Sequence, residues 1–170
     1  MMLVMLFSCK STPETPDRTP DNAAVENPED NPGNAGSGYQ VSEEEYKETL
    51  EYINSFISAV NTAIKDKDFE QWKTFLSQKY IDAYDSPEDL AEYSEMFKKK
   101  GYDVRLVNLK DYFDYVVVAS RQNLEISHLE FIDATHLKVM TLYRNEPAVM
   151  YYMEIIDGEW KISVWQSRQS

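Results

Sequence analysis

Two histidines and one pair of aspartates are the side chains that could carry acid–base chemistry. His136 falls in an expected turn, and His128 alternates with apolar neighbours, which points its ring away from the core. Asp111 and Asp114 would form a carboxylate pair if residues 109–117 were helical, although a solvated helix face is the simpler interpretation. A general base must reach the proton that it removes, and this spacing brings none of these groups to a shared substrate. We therefore predict no catalytic residue.

Two apolar runs, residues 148–156 and 159–165, flank an Asp-Gly pair and predict a β-hairpin. A type I′ turn needs positive φ at both central residues, which Asp157 and Gly158 favour. The two-residue turn fixes the register, so that Glu154 lies opposite Lys161 as an opposite-charge pair. The face opposite to that pair is the predicted core face, and it comprises Tyr151, Met153, Ile155, Trp160, Ile162 and Val164.

The polar atoms most able to enter a cavity belong to side chains on this face. They are those of Thr141, Tyr143, Tyr151 and Trp160. An amphipathic ring with one polar tip suits a binding pocket, although the same residues could instead close the core with their hydroxyls at its rim. We predict these four as candidate pocket residues. We predict no metal ligand and no cofactor, because no motif with the spacing of such a site is present.

Three helices are expected before the strands. The clearest spans residues 41–65, where a capping box begins at Ser42 and apolar residues recur at spacings of three and four. A coiled coil is the alternative, but the pattern ends after about three heptads. Asp68 can cap a second helix, and Ser86 starts a third that ends before Gly101.

The second half of the chain predicts mainly strands. Residues 103–107 alternate like a short strand, and residues 109–117 have helical spacing. Strands then follow at 127–132 and 137–143, with a turn at residues 145–147 before the hairpin. The expected fold is α+β, with three N-terminal helices packed on a curved antiparallel sheet.

Composition divides the chain into a tail and one domain. Five of the seven prolines and three of the five glycines lie before residue 40. We therefore expect a disordered acidic tether at 10–40 and a single α+β domain at 41–170. The net charge of −13 repels phosphate backbones, so nucleic-acid binding is not expected.

The single cysteine, Cys9, rules out an internal disulfide and a cysteine-based zinc site. It ends a short apolar run, and Leu6-Phe-Ser-Cys9 resembles a loose bacterial lipobox. That resemblance implies that residues 1–9 are a lipoprotein-type signal remnant, in which the signal peptide is cut before Cys9 and a diacylglycerol is attached to the Cys9 thiol. The run is shorter than the usual signal h-region and lacks a basic n-region, so an ordinary hydrophobic N-terminus is the alternative.

Helices followed by an antiparallel meander with a Gly158-Glu-Trp160-Lys-Ile162 terminus resemble the nuclear-transport-factor-2-like superfamily, whose fold is also called cystatin-like. The resemblance covers residues 42 to about 167 and implies a cone-shaped pocket between the helices and a curved sheet. This fold hosts enzymes, binding modules and scaffolds alike. An isomerase- or dehydratase-like enzyme in the cone is therefore the alternative to a binding domain.

Together these observations predict a lipid-anchored, non-catalytic binding domain in the bacterial cell envelope, outside the cytoplasm. Its partner would be another envelope protein or a small apolar ligand. The reverse face of the sheet carries further apolar side chains, so we also expect a weak homodimer through it. Those residues are Met140, Leu142, Met150, Tyr152, Ile156 and Trp165.

Overall fold

The computed structural model describes residues 39–120 and 125–165. Its helices precede its strands, which confirms the α+β class. The helices are α1 (Glu43–Asp66), α2 (Phe69–Thr74), α3 (Gln78–Tyr84), α4 (Pro87–Lys99), and a run of α5 (Leu109–Tyr112), a π-helical turn (Phe113–Val117) and α6 (Val118–Ser120). The strands are β1 (His128–Asp133), β2 (His136–Tyr143), β3 (Glu146–Ile156) and β4 (Glu159–Ser163), and they form one antiparallel sheet in the order β1-β2-β3-β4.

Helix starts lie where the capping residues place them. Ser42, Asp68 and Ser86 each accept a hydrogen bond from the backbone amide three residues further on, at 2.9 to 3.2 Å. Each bond satisfies one of the amides that a helix N-terminus leaves without an intrahelical partner. Gly101 follows α4 with φ +84°, the left-handed conformation that glycine adopts without steric cost.

The expectation of three helices is wrong, because the predicted second helix divides into α2 and α3. Ser77 caps α3 by accepting the Tyr80 amide at 3.1 Å. The residues that precede α3 pair with β4: the Ser77 backbone amide donates to the Ile162 carbonyl, and the Ile162 amide donates to the Phe75 carbonyl, both at 2.8 Å. Residues 75–77, which we call the strap, thus run parallel to β4 along its free edge. This pairing joins residues about 86 positions apart, so the helical pattern could not reveal it.

The predicted strand at 103–107 is also wrong, whereas the helix at 109–117 is confirmed and extends to Ser120. Residues 102–107 run without a turn or bend but pair with no strand among the described residues. Two of their amides bond to side chains instead. The Leu106 amide donates to Ser94 Oγ and the Val107 amide donates to Asp111 Oδ2, each at 2.9 Å.

The hairpin register is confirmed for the paired residues, with Ile155 opposite Trp160. Asp157 and Gly158 both have positive φ, at 52° and 83°, as a type I′ turn requires. The turn predicted at 145–147 instead uses residues 144 and 145, which also have positive φ. Between β2 and β3 the register shifts after Val139, which leaves Met150 as the extra residue of a β-bulge.

The core lies between the helices and one face of the sheet. The sheet contributes Leu129, Leu137 and Val139, all without measurable exposure. Tyr46 on α1 is buried against this face, and its hydroxyl accepts the Leu129 amide at 3.2 Å. Among the described residues, no helix is both long and apolar enough to cross a bilayer.

Candidate functional site

The structure does not gather the four predicted pocket residues into one site. Thr141 and Tyr151 are buried and Trp160 is half-buried. Tyr151 lies four residues along β3 from Ile155, the partner of Trp160, which is about 13 Å at the usual rise of a strand. Their role as a pocket stays a prediction.

The expectation that Tyr143 lies in the buried face is wrong, because its side chain is 58% exposed. β1 begins at His128, opposite Met140, so the end of the β2–β3 hairpin extends past its neighbouring strand. Strand alternation assigns a residue to a face of the sheet, but it does not say whether a helix covers that end of the face.

The reverse face of the sheet is less apolar at its surface than expected. Met140 and Met150 are buried, whereas Leu142 is 58% exposed. Trp165 stacks on Tyr152 with ring centroids 6.3 Å apart. Of the six apolar residues predicted on this face, Leu142 and Trp165 are exposed, and Tyr152 and Ile156 are partly buried.

A buried carboxylate, that of Glu154 on β3, organises the polar part of this face. Its side chain is only 6% exposed, and it is the one charged residue among the buried described residues. Lys79 Nζ lies 2.6 Å from Oε2, and Ser163 Oγ donates to Oε1 at 2.9 Å. Ser77 Oγ in turn bonds to Ser163 Oγ at 3.0 Å. Because α3 carries Lys79, the strap that places α3 against β4 also builds this cluster.

Opposing influences set the pKa of the Glu154 carboxyl. Burial is the largest single influence and raises the pKa, since a low dielectric disfavours charge. Hydrogen bonds from Lys79 and Ser163, with the positive charges nearby, lower it by more in total. The net pKa lies below the ordinary value, so Glu154 is ionised at neutral pH.

The predicted side-chain pair between Glu154 and Lys161 is not formed, although the two residues are opposite each other in the register. Lys161 Nζ bonds to Glu159 at 2.9 Å and to the Thr74 carbonyl at 3.2 Å instead. The cation paired with Glu154 is Lys79 on α3, a helix whose position next to β3 the strand pattern does not predict.

His136 lies between two carboxylates. Its Nδ1 is 2.9 Å from Asp133 Oδ1, and its Nε2 is 3.6 Å from Glu154 Oε2. The backbone amide of Thr135 is the main cause that holds the pKa of Asp133 low, at about 2, and His136 adds to it. A catalytic histidine backed by an aspartate presents its second nitrogen to a substrate, whereas here that nitrogen faces another carboxylate.

The geometry of the Glu154 cluster is that of a structural network. The hydroxyls of Ser77 and Ser163 are buried and already bonded, so neither is placed to attack a substrate. In the part of the chain that the structure describes, no group of three or more His, Cys, Asp or Glu side chains could hold a metal ion. The two aspartates also have local partners. Asp111 accepts the Val107 amide, and Asp114 forms an ion pair with Lys110.

A groove of about 740 Å³ lies elsewhere, between α4 and residues 101–107. The α4 residues that line it recur at helical spacing, and they are Pro87, Leu90, Ala91, Ser94, Glu95 and Lys98. Tyr102 and Val107, 60% and 61% exposed, are the most exposed large apolar residues of the described chain, and both line this groove. None of the four predicted pocket residues does. We did not predict this groove, because residues 103–107 were expected to form a strand.

Comparison with known proteins gives one relative. No protein-family profile matches the chain, and no solved structure matches it. A protein of Treponema pallidum (strain Nichols), whose name reads "Uncharacterized lipoprotein", is 30% identical over 123 residues. Those residues are 72% of this chain and 65% of the relative, so the chain spans less than two thirds of that protein's length. The chain is thus similar to a protein that bears the name of a lipoprotein.

Proposed function

We propose that this protein is a lipid-anchored domain of the bacterial cell envelope that binds a partner without catalysing a reaction. The observation that carries the anchoring is the similarity to a protein named a lipoprotein, together with Leu6-Phe-Ser-Cys9 in this sequence. These N-terminal residues lie outside the described part of the chain. In this proposal residues 1–9 are the lipoprotein-type signal remnant, whose Cys9 carries the lipid, 10–40 form the tether and 41–170 form the domain.

Labelled fatty acid tests the anchor. When it is fed to expressing cells, we expect the full chain to incorporate the label and Cys9→Ser to lose it. A matched control, Cys9→Ser combined with Ser11→Cys, restores a thiol two residues away and should remain unlabelled, because the enzymes that act on a lipobox require the cysteine in its motif. Incorporation into Cys9→Ser, or into a chain that starts at Val41, would contradict the anchor.

Two structural features support binding rather than catalysis. The buried carboxylate of Glu154 is bonded to Lys79 and Ser163, and both ring nitrogens of His136 face carboxylates. An isomerase- or dehydratase-like enzyme would need an acid or base that points into a cavity. The groove beside α4 contains neither histidine, and its carboxylates are exposed: Asp85 accepts the Leu109 amide, and Glu95 and Asp103 face solvent. Of the two expected partners, an open groove suits a protein better than a small apolar ligand, which needs enclosure.

The nuclear-transport-factor-2-like roll, with its curved sheet and cone, is part of the same proposal. The helices-first order and the four-stranded antiparallel sheet support it. In this superfamily function varies between members, so the binding proposal depends on the surface features of this chain and not on the fold.

A weak homodimer through the reverse face of the sheet is a further proposal. Leu142 at the hairpin end and Trp165 supply its exposed apolar surface. We expect light scattering to show dimers at high micromolar concentration and only monomers for Leu142→Lys. Tyr52→Lys is the matched control, because Tyr52 is a similarly exposed apolar residue on α1. A wild-type monomer across this range would refute the dimer.

A further inference from the structure

We propose that the groove between α4 and residues 101–107 binds an extended segment of a partner protein as an added β-strand. The inference rests on the proposed binding function and names the surface that would perform it. We call the two walls the α4 wall and the 101–107 wall. The partner segment would lie along the second wall and pair with its free backbone groups.

The 101–107 wall has backbone amides that are available to pair with another strand. It has no turn or bend between Tyr102 and Val107, and side-chain burial alternates from Asp103 to Val107 as it does along a strand. The amides of Leu106 and Val107 are bonded to side chains, but those of residues 103–105 have no hydrogen-bond partner among the described residues. Unpaired amides in an extended segment are the groups that an added strand satisfies.

The apolar side chains fit an occupant of the same length. Tyr102 and Val107 lie near the two ends of the wall, and each exposes three fifths of its surface. Six residues, 102–107, span roughly 20 Å at the usual rise of a strand, which matches a peptide of about six residues. Leu90 and Leu106 are buried below and form an apolar floor. Exposed apolar surface concentrated along one groove is characteristic of an interaction site.

The charges define the chemistry of the partner. Glu95 lies 4.0 Å from Lys98, and Asp85 accepts the Leu109 amide at 2.6 Å, so these groups already have partners. Asp103 and Arg105 are both exposed, and neither forms an ion pair with any described residue. Being two positions apart on an extended chain, they point to the same side. A complementary strand therefore carries a cation opposite Asp103 and an anion opposite Arg105.

This complementarity depends on strand direction. An antiparallel strand would meet Arg105 first, so it would read acid-x-base from its N-terminus. A parallel strand would read base-x-acid. The surface should therefore distinguish two peptides of identical composition. Non-specific hydrophobic binding to an apolar groove would not distinguish them.

Four fluorescent nine-residue peptides of alternating valine and threonine provide the probe. Two carry Glu-Val-Lys or Lys-Val-Glu at the centre, a third carries two glutamates, and a fourth replaces the central valine of the first with proline. We expect one of the first two to bind the full chain at least about tenfold more tightly than the other three, measured by fluorescence anisotropy. Hydrogen exchange should show new protection of the Asp103 and Arg105 amides in that complex.

Two protein variants separate the proposed pairing from loss of folding. Asp103→Lys combined with Arg105→Asp exchanges two exposed charges and should invert the preference between the first two peptides. Arg105→Pro removes one of the free amides on the edge shared with Asp103 and should abolish binding of every peptide, a larger loss than the charge exchange causes, while an unchanged melting temperature shows that the domain is folded. Equal binding of all four peptides, no binding at millimolar concentration, or no inversion would overturn the proposal.

The proposed function can fail separately from this inference. A photocrosslinking residue placed at Val107 or at Leu142 in living cells reports which surface meets a partner. Cross-linking at Leu142 alone would overturn the groove and keep the binding function, whereas no cross-link at either position would overturn both. Cross-linking at Val107, combined with inversion of the peptide preference, supports both.

Discussion

Removal of the Lys79 ammonium would leave the buried carboxylate of Glu154 without its cation. We choose Lys79→Met because methionine keeps most of the aliphatic stem and deletes the charge. Loss of one partner of a fully buried ion pair costs about 3–5 kcal/mol. The Lys79 side chain is 64% exposed, so solvent screens much of the interaction, and Ser163 still donates to Glu154. We therefore expect a loss of about 1–2 kcal/mol in the free energy of unfolding at pH 7.

Urea denaturation measures this loss as a lower midpoint, by about 0.5–1 M for a domain of this size. Lys161→Met is the matched control. Lys161 lies opposite Glu154 in the strand register but bonds to Glu159 and to the Thr74 carbonyl. Its replacement should cost under about 0.5 kcal/mol, because the carboxylate that it would leave, Glu159, is 67% exposed and stays hydrated.

The pH dependence gives a second and independent test. The folded pKa of Glu154 is lowered, so the stabilisation that it provides is complete above the unfolded carboxyl pKa and is lost as the pH falls through the folded pKa. The difference between wild type and Lys79→Met should therefore be largest near neutral pH and shrink below about pH 4. A difference that stays constant down to about pH 3, or a larger loss for Lys161→Met, would refute our assignment of the ion pair.

Two further predictions concern the β3–β4 hairpin. Gly158→Val should cost about 1–3 kcal/mol through backbone strain alone, because φ is +83° and no atom lies within 4 Å of the added Cβ. Gly158→Asn should cost less, since asparagine tolerates positive φ, and equal midpoints for the two variants would contradict the strain argument. Trp160→Ala should lower the denaturation midpoint more than Trp165→Ala, because Trp160 packs against the core and Trp165 lies exposed near the end of the described chain. The reverse order would place the wrong face of the hairpin inward.

Elements with strong local signals could be predicted from the sequence. Ser42, Asp68 and Ser86 mark helix starts because a short oxygen side chain bonds to amides only three residues away. The register of β3 and β4 was predictable for a similar reason, since the two-residue turn at Asp157 and Gly158 determines every pairing beyond it.

Features that depend on distant residues could not be predicted in this way. The division between α2 and α3 results from pairing of the strap with β4, and a helical stripe that continues through Leu76 conceals it. The side chains around Glu154 include Lys79 of α3, Ser77 of the strap and His136 of β2. The residue pattern of β3 gives no information about these distant parts of the chain. Exposure of Tyr143 depends on whether another element covers its end of the sheet, which strand alternation does not show.

The contrast between the edge of β4 and residues 103–105 supports the groove beside α4 as a binding site. The free edge of β4 is a place where another strand could add, and the strap occupies it with two backbone hydrogen bonds to Ile162. The amides of residues 103–105 receive no such cover among the described residues, although Ser94 and Asp111 bond to the amides that follow them. A chain that covers the edge of β4 and leaves residues 103–105 open beside exposed Tyr102 and Val107 offers this groove as a place for strand addition.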